Sequence, residues 1–391
     1  MREKRDESFL KSRAYDKRGI RKRKLMKPKE FHIWNFPEDK IRILFKNPNK
    51  FVQIAISHFG NRKKLGVFLK IQSTEIYNWT KYNIYIPLKY VKLMVKEIGL
   101  NWIDVERNIS SYKGVNTSAP IFNPKLPIKE SPEIFSVITH IICDGSINKN
   151  GIPIYTNSSK ELIDNLDYTL KKIFGDFKSG LYFGSGTNRN CYQYTFPKLM
   201  TELLEHFYQI NLYKKKEIPK VIFESPNKFS TAVIRAFADD EGTVDLNWRI
   251  GFSSKDRELL LDLIRLFKEK LRFEHLTDIM EKDEKYYCFY VNPMEIERYQ
   301  KEIGFSHPDK RIKLSNIVEY RKGSHGRRAS GETREKLLKL LNDKVLSTYD
   351  LIKVLKINKS NINMQMKKLI TQGIIVQHHK IGQTVFWTRR Y

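Results

Sequence analysis

Two stretches of the sequence share one pattern, in which Ser-Pro opens an apolar helix that ends on an acid followed by glycine. The first occupies residues 131–147 and ends on Asp144, and the second occupies residues 225–244 and ends on Glu241. Serine and proline suit a helix start, and Gly242 is expected to end the second helix in the left-handed conformation. Because a helix C-terminus disfavours negative charge, acids at this position predict a bound cation.

The segments after the two helices match as well. A strand-like stretch leads into Ser-Ser-Lys-acid at 158–161 and again at 253–256, which is a capping-box pattern ahead of a leucine-rich helix. The copies lie roughly 95 positions apart, so the chain contains two copies of one supersecondary unit. Each copy predicts the order α, ββ, α, ββ, α.

The residues at the two helix ends carry a family resemblance. VITHIICDG (137–145) and IRAFADDEG (234–242) resemble the signature helices of the LAGLIDADG, or DOD-type, homing endonucleases. The third signature position, glycine in that family, is Thr139 in one copy and Ala236 in the other. Residues 303–314 are similar to the tail of many such domains. The resemblance implies an α+β fold with a pseudo-two-fold duplicated αββαββα domain at 130–318, with halves 130–224 and 225–318.

The resemblance also implies a chemistry for the two terminal acids. Asp144 and Glu241 would meet near the pseudo-two-fold axis and hold divalent metal, most simply Mg²⁺, against the scissile phosphates. Each acid would serve one strand, so one chain, monomeric on double-stranded DNA, could cut both. The alternative is that both are inert helix-end residues.

Other polar residues near these acids receive smaller roles. Asp239 and Asp240 are interpreted as packing and surface residues, and His140 as structural. Lys149 and Arg249 are the candidates for a basic residue close to the phosphates.

Composition favours a nucleic-acid partner. The chain has 391 residues, 40% of them hydrophobic, and its 72 Lys and Arg against 44 Asp and Glu give a net charge of +28. No apolar run approaches the ~18 residues that span a bilayer, which argues against a membrane partner. The N-terminus lacks a signal-peptide pattern, and the three cysteines form neither a CxxC motif nor a disulfide framework, so a cytoplasmic location is expected.

The segments before the duplicated domain predict further DNA contacts. Residues 1–46 are interpreted as a basic arm that follows phosphates, or alternatively as a solvated tail, and residues 47–116 as a helical domain resembling the helix-turn-helix of phage-repressor-like proteins. Residues 117–129, with three prolines, are interpreted as a linker. The predicted contacts are Arg21, Lys22, Arg23, Lys24, Thr74, Tyr77 and Asn78. For those in the helical domain, the alternative is an ordinary role in the core.

The segments after it extend the same prediction. Residues 319–331 are interpreted as a basic linker and residues 332–391 as a winged helix-turn-helix domain, although winged helices also mediate protein contacts. Its third helix, the recognition helix 360–372, exposes polar side chains suited to base edges and phosphates. The predicted contacts there are Asn361, Asn363, Gln365 and Lys368. Within the duplicated domain, Tyr192, Tyr194 and Arg249 are predicted to line a DNA-reading sheet, with plain solvent exposure as the alternative.

The predicted function is sequence-specific DNA binding with Mg²⁺-dependent double-strand cleavage. A transcriptional regulator that keeps the fold without cutting is one alternative, and an RNA maturase is another, since nothing in the sequence excludes RNA. No N-terminal Cys or Ser nucleophile and no C-terminal Asn is present, so we do not expect an intein in one piece.

Overall fold

The computed structural model describes residues 29–82, 84–115, 119–184, 190–213, 217–245, 249–283, 286–322, 331–357, 359–382 and 384–390. We treat the chain as an N-terminal unit (29–129), a repeat domain (130–322) and a C-terminal unit (331–390). Buried residues of the first two units belong to one hydrophobic core, and the C-terminal unit has a second core around Leu351 and Leu369.

Within its described residues, the N-terminal unit combines five α-helices with a four-stranded sheet and a two-stranded sheet. Its helices are α1 (Pro48–Phe59), α2 (Arg62–Leu69), α3 (Ser73–Lys81), α4 (Leu88–Ile98) and α5 (Trp102–Arg107). Its strands are β1 (Glu30–Phe31), β2 (Ile41–Phe45), β3 (Ile86–Pro87), β4 (Ile109–Gly114), β5 (Ile121–Phe122) and β6 (Ile128–Lys129). Strands β3, β2, β4 and β5 form a four-stranded antiparallel sheet in that order, and β1 pairs with β6.

The sheet corrects two predicted boundaries. Strand β2 lies in the segment interpreted as an arm, and its Ile41, Ile43 and Phe45 alternate into the core, the period expected of a half-buried strand. The predicted linker, within its described part, contributes β5 and β6 and buries Ile121 and Ile128. Both segments are therefore structural parts of the fold, because their apolar residues pack on one side of a strand.

The repeat domain has two halves of matching order. The first half contains α6 (Pro132–Asp144), β7 (Gly145–Ile147), β8 (Pro153–Asn157), α7 (Lys160–Phe174), β9 (Gly180–Phe183), β10 (Tyr192–Thr195), α8 (Lys198–Tyr208) and α9 (Lys220–Glu224). The second half contains α10 (Asn227–Glu241), β11 (Gly242–Val244), β12 (Ile250–Ser254), α11 (Arg257–Arg265, continued by a π-helical turn Leu266–Lys270), β13 (Met280–Asp283), β14 (Tyr286–Val291), α12 (Ile296–Glu302) and α13 (Pro308–Lys322).

The two sheets of the repeat domain have equivalent topology. Their strand orders are β7-β8-β10-β9 and β11-β12-β14-β13, and all neighbours are antiparallel. Helices α6 and α10 pack against each other, with the rings of Phe135 and Phe229 5.6 Å apart. The predicted duplicated αββαββα architecture is confirmed.

The C-terminal unit has three helices and a small sheet. The helices are α14 (Glu332–Asp343), α15 (Thr348–Leu355) and α16 (Lys359–Thr371), and the strands are β15 (Leu346–Ser347), β16 (Ile375–Ile381) and β17 (Thr384–Arg389). The antiparallel order is β15-β17-β16. Part of the predicted linker 319–331 is instead the end of α13, which runs to Lys322.

Candidate active site and nucleic-acid interface

Each motif helix ends on its acid, and a strand begins at the next residue. Gly145 and Gly242 have extended backbones, with φ of −82° and −81°, so the expected left-handed stop is wrong. A Cβ on these glycines would lie 2.2 Å from the carbonyl oxygen of Ile141 and 2.4 Å from that of Ala238. Glycine is required because the chain turns tightly past the last helical turn.

The start of α10 also differs from the prediction. Ser225 does not cap this helix, because its hydroxyl donates to the carbonyl oxygen of Val221 at 2.7 Å in the preceding α9. Pro226 takes the N-cap position, and the helix begins at Asn227. The small positions Thr139 and Ala236 are both buried, and the Thr139 hydroxyl donates to Phe135 O at 2.7 Å, so no polar group is left unpaired there.

Asp144 is largely buried among other carboxylates. Burial, then the neighbouring carboxylates of Asp240 and Glu241, raise the pKa of Asp144 from 3.8 to about 7. The amide of Asn157 donates to Asp144 Oδ2 at 3.2 Å. The two signature acids therefore lie close enough to interact, in a place where a cation would relieve the repulsion.

Asp240 is the hub of a buried hydrogen-bond network. Its side chain has 0% exposure, and its carboxylate accepts from Tyr155 Oη at 2.6 Å and contacts His140 Nδ1 at 2.9 Å. Burial lowers the pKa of His140, but the carboxylates of Asp240, Asp239 and Asp144 together outweigh this effect and the pKa is raised. The expectation of a surface role for Asp239 or Asp240 is therefore wrong for Asp240, whereas His140 has the structural contact expected of it.

Asp239 and Lys310 close the end of α10. Asp239, 2% exposed, accepts from the backbone N–H groups of Ser306 and His307 at 2.8 and 2.9 Å. The Lys310 ammonium donates to the carbonyl oxygens of Ala238 at 3.0 Å, of Asp239, and of Asp240 at 3.3 Å. Burial lowers the pKa of Lys310, against the effect of the surrounding acids.

Lys310 is a basic residue near the signature acids that the sequence did not identify. It lies in the family-like tail 303–314, which carried the signal but gave no reason to bring it to the end of α10. Lys149 is exposed in the turn between β7 and β8. Arg249 stacks on the Tyr290 ring at 4.3 Å and pairs with Asp245 at 2.8 Å, so two contacts already hold its side chain.

The donor set at the helix ends fits a hard divalent cation. It consists of carboxylate oxygens with an excess of negative charge, as the raised pKa of Asp144 records. Within the described residues, no group of three or more His, Cys, Asp or Glu is arranged to hold a metal ion. Mg²⁺ commonly binds through one or two carboxylates together with water and substrate phosphates, so a pair of acids fits it.

One of the predicted sheet contacts, Tyr194, lies on the buried face of β10. Tyr194 is 2% exposed and its hydroxyl donates to Asp167 of α7 at 2.7 Å, so it points to the helices. Tyr192 has the same parity and packs on Phe183 with ring centroids 4.7 Å apart. The opposite face of this sheet, which sequence reasoning missed, presents Ile154, Thr156, Tyr182, Gln193 and Thr195.

The helix-turn-helix candidates in the N-terminal unit are at the surface. Helices α2 and α3 are joined through Lys70, whose φ is 56°, and Thr74 and Tyr77 are exposed. The Arg62 guanidinium and the Lys81 ammonium lie 5.2 and 5.3 Å from the centroid of the Tyr77 ring. Asn78 is partly buried, and Trp79, 1% exposed, belongs to the core.

Helix α16 presents the side chains predicted for the C-terminal unit. Ile362, Met366 and Leu369 face the core, and the exposed side of the helix carries polar residues together with Met364 and Ile370. Among the predicted contacts, Asn361, Asn363 and Lys368 are exposed and Gln365 is partly buried. Arg21, Lys22, Arg23 and Lys24 lie outside the described residues.

Comparison with known proteins gives one family match and one curated relative. Residues 331–376 match a helix-turn-helix family described as bacterial regulatory protein, arsR family. The probable translation initiation factor IF-2 of Thermococcus kodakarensis is 24% identical over 307 residues, which is 72% of this chain and 25% of that protein. The chain thus spans about a quarter of the length of this relative.

Solved structures share part of the chain at low identity. I-DmoI in complex with DNA and Mn is 17% identical, with a TM-score of 0.31 over 44% of this chain and 96% of that chain. The homing endonuclease I-WcaI bound to its DNA recognition sequence is 16% identical, with a TM-score of 0.35 over 47% and 85%. Full-length DUF199/WhiA from Thermatoga maritima is 13% identical, with a TM-score of 0.33 over 62% and 91%.

Among the described residues, no helix combines the length and the apolar character that crossing a bilayer requires.

Proposed function

We propose that this chain is a sequence-specific DNA-binding protein that hydrolyses both strands of its target with a divalent metal. The observation that carries the proposal is that two packed helices from the duplicated halves end on Asp144 and Glu241, and that the charge of Glu241 raises the pKa of Asp144. The unusual pKa of Asp144 supports it, because perturbed carboxylates cluster at functional sites.

In this proposal the signature acids hold the ions and the sheets hold the duplex. Bound Mg²⁺ would neutralise charge on the scissile phosphate and lower the pKa of attacking water. Asn157 keeps the Asp144 carboxylate oriented through its 3.2 Å bond. Lys310 donates to carbonyl oxygens at the end of α10 and so offsets the negative end of the helix dipole. This stabilises a helix C-terminus that carries three adjacent acids, residues 239–241.

DNA recognition would be divided among the three units. The face of the first sheet that bears Gln193 and Thr195 carries hydrogen-bonding side chains suited to base edges. The α2–α3 pair and α16 would add contacts on either side. The net charge of +28 would supply the phosphate attraction that these contacts need.

The test is Mg²⁺-dependent cutting of a duplex selected from a randomised pool, by wild type, D144N and E241Q. Each substitution keeps side-chain shape but removes a ligand charge, so cleavage should fall at least about 10²-fold while DNA binding survives. A single-strand nick by one variant would be consistent with one acid per strand. Full activity in both variants would refute the site.

A second candidate is a DNA-binding regulator that does not cut. The match of residues 331–376 to the arsR family of bacterial regulatory proteins favours it. Wild-type protein that binds the selected duplex tightly, yet leaves it intact with Mg²⁺ and with Mn²⁺, would establish this alternative.

A further inference from the structure

The two halves of the repeat domain are equivalent in backbone but not in chemistry around their acids. Tyr155 lies opposite Gly145 in the β7–β8 pair, and Phe252 lies opposite Gly242 in the β11–β12 pair. The first half thus has a phenol where the second half has a plain phenyl ring. Four residues before each acid, the first half likewise has His140 and the second half Phe237.

The partner of these polar residues comes from the other half. Asp240, on α10, reaches Tyr155 Oη at 2.6 Å and His140 Nδ1 at 2.9 Å. The second half contributes Asp240 to the environment of Asp144, whereas Phe237 and Phe252 have no hydroxyl or imidazole with which to form the same network around Glu241. The buried polar network is therefore one-sided.

Asn157 connects this network to the first acid. Its Nδ2 donates to Asp144 Oδ2 at 3.2 Å and lies within 3.2 Å of Tyr155 Oη and 3.4 Å of Asp240 Oδ1. Its Oδ1 accepts from the Ser159 backbone N–H at 2.9 Å, which fixes the orientation of the amide. Tyr155 and Asp240 therefore both contact the amide that donates to Asp144.

We propose that Asp240, Tyr155 and Asn157 are positioning residues that fix the Asp144 carboxylate for a divalent cation. The second motif helix thereby sets the ligand geometry of the first half, through polar contacts that Phe237 and Phe252 cannot make in the second half. The inference rests on the proposed function and adds to it that the two strands are cut by unequally supported sites. Outer-shell partners of metal ligands usually contribute about 10- to 100-fold to metal affinity or activity.

The chain offers a closely matched pair of variants. Y155F removes the hydroxyl bonded to Asp240 and creates the phenylalanine that the second half already has. Y194F removes a hydroxyl from the residue directly opposite Tyr155 in the same sheet, where the bond to Asp167 is 2.7 Å. Both hydroxyls bond a carboxylate on the helix side, so loss of fold stability should be similar, and only Y155F should affect Asp144.

Cutting is measured on the selected duplex with each strand labelled separately, and D144N identifies the strand served by Asp144. We expect Y155F to slow cutting of that strand about 10- to 100-fold and to raise its Mg²⁺ requirement. The other strand, and both strands with Y194F, should keep the wild-type rate. Equal slowing of both strands by Y155F, or the same pattern with Y194F, would overturn the inference.

A second measurement does not depend on cutting. Bound Mn²⁺ is counted by electron paramagnetic resonance on the full chain with its duplex. Y155F should weaken the ion that D144N removes, and N157S, which mirrors Ser254 of the second half, should do the same if Y155F folds poorly. Unchanged Mn²⁺ binding in the folded variant would overturn the inference.

These outcomes separate the two proposals. Wild type that binds Mn²⁺ without cutting would refute the proposed cleavage, and the Mn²⁺ titration would still decide the role of Tyr155. Wild type that neither cuts nor binds Mn²⁺ would refute both. Cutting by wild type with no strand preference in Y155F would refute the positioning network alone.

Discussion

Replacing Asp144 with asparagine should stabilise the metal-free protein, and the gain should be larger at alkaline pH. Burial and the neighbouring carboxylates Asp240 and Glu241 raise the pKa of Asp144 from 3.8 to about 7. Above neutral pH, Asp144 is therefore ionised in the folded protein, and this buried charge lowers the free energy of unfolding. Asparagine carries no charge and keeps an oxygen that can accept from Asn157.

The sign and size follow from linkage. The folded state binds the Asp144 proton more tightly than the unfolded state does, because the folded pKa is the higher one. This contribution to stability is complete below about pH 4 and is lost as pH rises to about 7. At about 1.4 kcal/mol per pH unit, wild type loses roughly 2 kcal/mol at this site between about pH 5.5 and about pH 8.5. The increase in the free energy of unfolding caused by D144N should therefore be larger at about pH 8.5 than at about pH 5.5 by roughly 2 kcal/mol.

The assay is urea unfolding of wild type and D144N at both pH values, with a chelator present. The control is D164N, since Asp164 is an acid of α7 with 57% side-chain exposure that pairs with Lys160. That variant should show no pH-dependent gain. A D144N gain that is equal at both pH values, or a loss of stability at alkaline pH, would refute the buried-charge account. Mg²⁺ should narrow the difference by stabilising wild type alone.

Three further predictions concern DNA binding. Because both halves are in one chain, light scattering of the complex should give one chain per duplex, and two chains would contradict a complete site in each molecule. Log affinity should fall steeply with log salt, by about 0.9 per phosphate contacted, and deleting residues 1–28 should flatten that slope; an unchanged slope would remove the arm from the interface. Gln193→Ala should weaken binding to the selected site by about 1 to 3 kcal/mol, whereas Y194F should leave affinity unchanged; the reverse order would restore the tyrosine face as the reading surface.

Local patterns in the sequence determined most of the helices. Apolar spacing places α6, α7, α10 and α11 within a few residues of their observed ends, because helical periodicity is set by neighbours three and four positions away. The repeat of the whole unit predicted the two equivalent sheets. The two acids followed from the same repeat, because each is the last residue before the tight turn at glycine.

Strand faces were less determined. Both Tyr194 and Gln193 are plausible surface residues, and a shift of one residue exchanges the two faces of a strand. Which face is buried was decided by Asp167 on α7, whose carboxylate accepts the Tyr194 hydroxyl. In β2, by contrast, the sequence does contain the alternation of Ile41, Ile43 and Phe45. The segment was nevertheless interpreted as part of a basic arm because of the Lys and Arg residues around it.

Only the tertiary structure decided what surrounds the acids. Asp240 and Tyr155 are separated by 85 positions in the chain, and Lys310 reaches the carbonyl of Asp240 over 70 positions. No local period relates such residues. They meet because α6 packs on α10 and α13 packs over the end of α10, which buries apolar surface. The polar groups that become buried at the same time are stable only when they form hydrogen bonds. The sequence determined that each helix ends on a carboxylate, and packing decided that Asp240 of the second half joins the network around the first carboxylate.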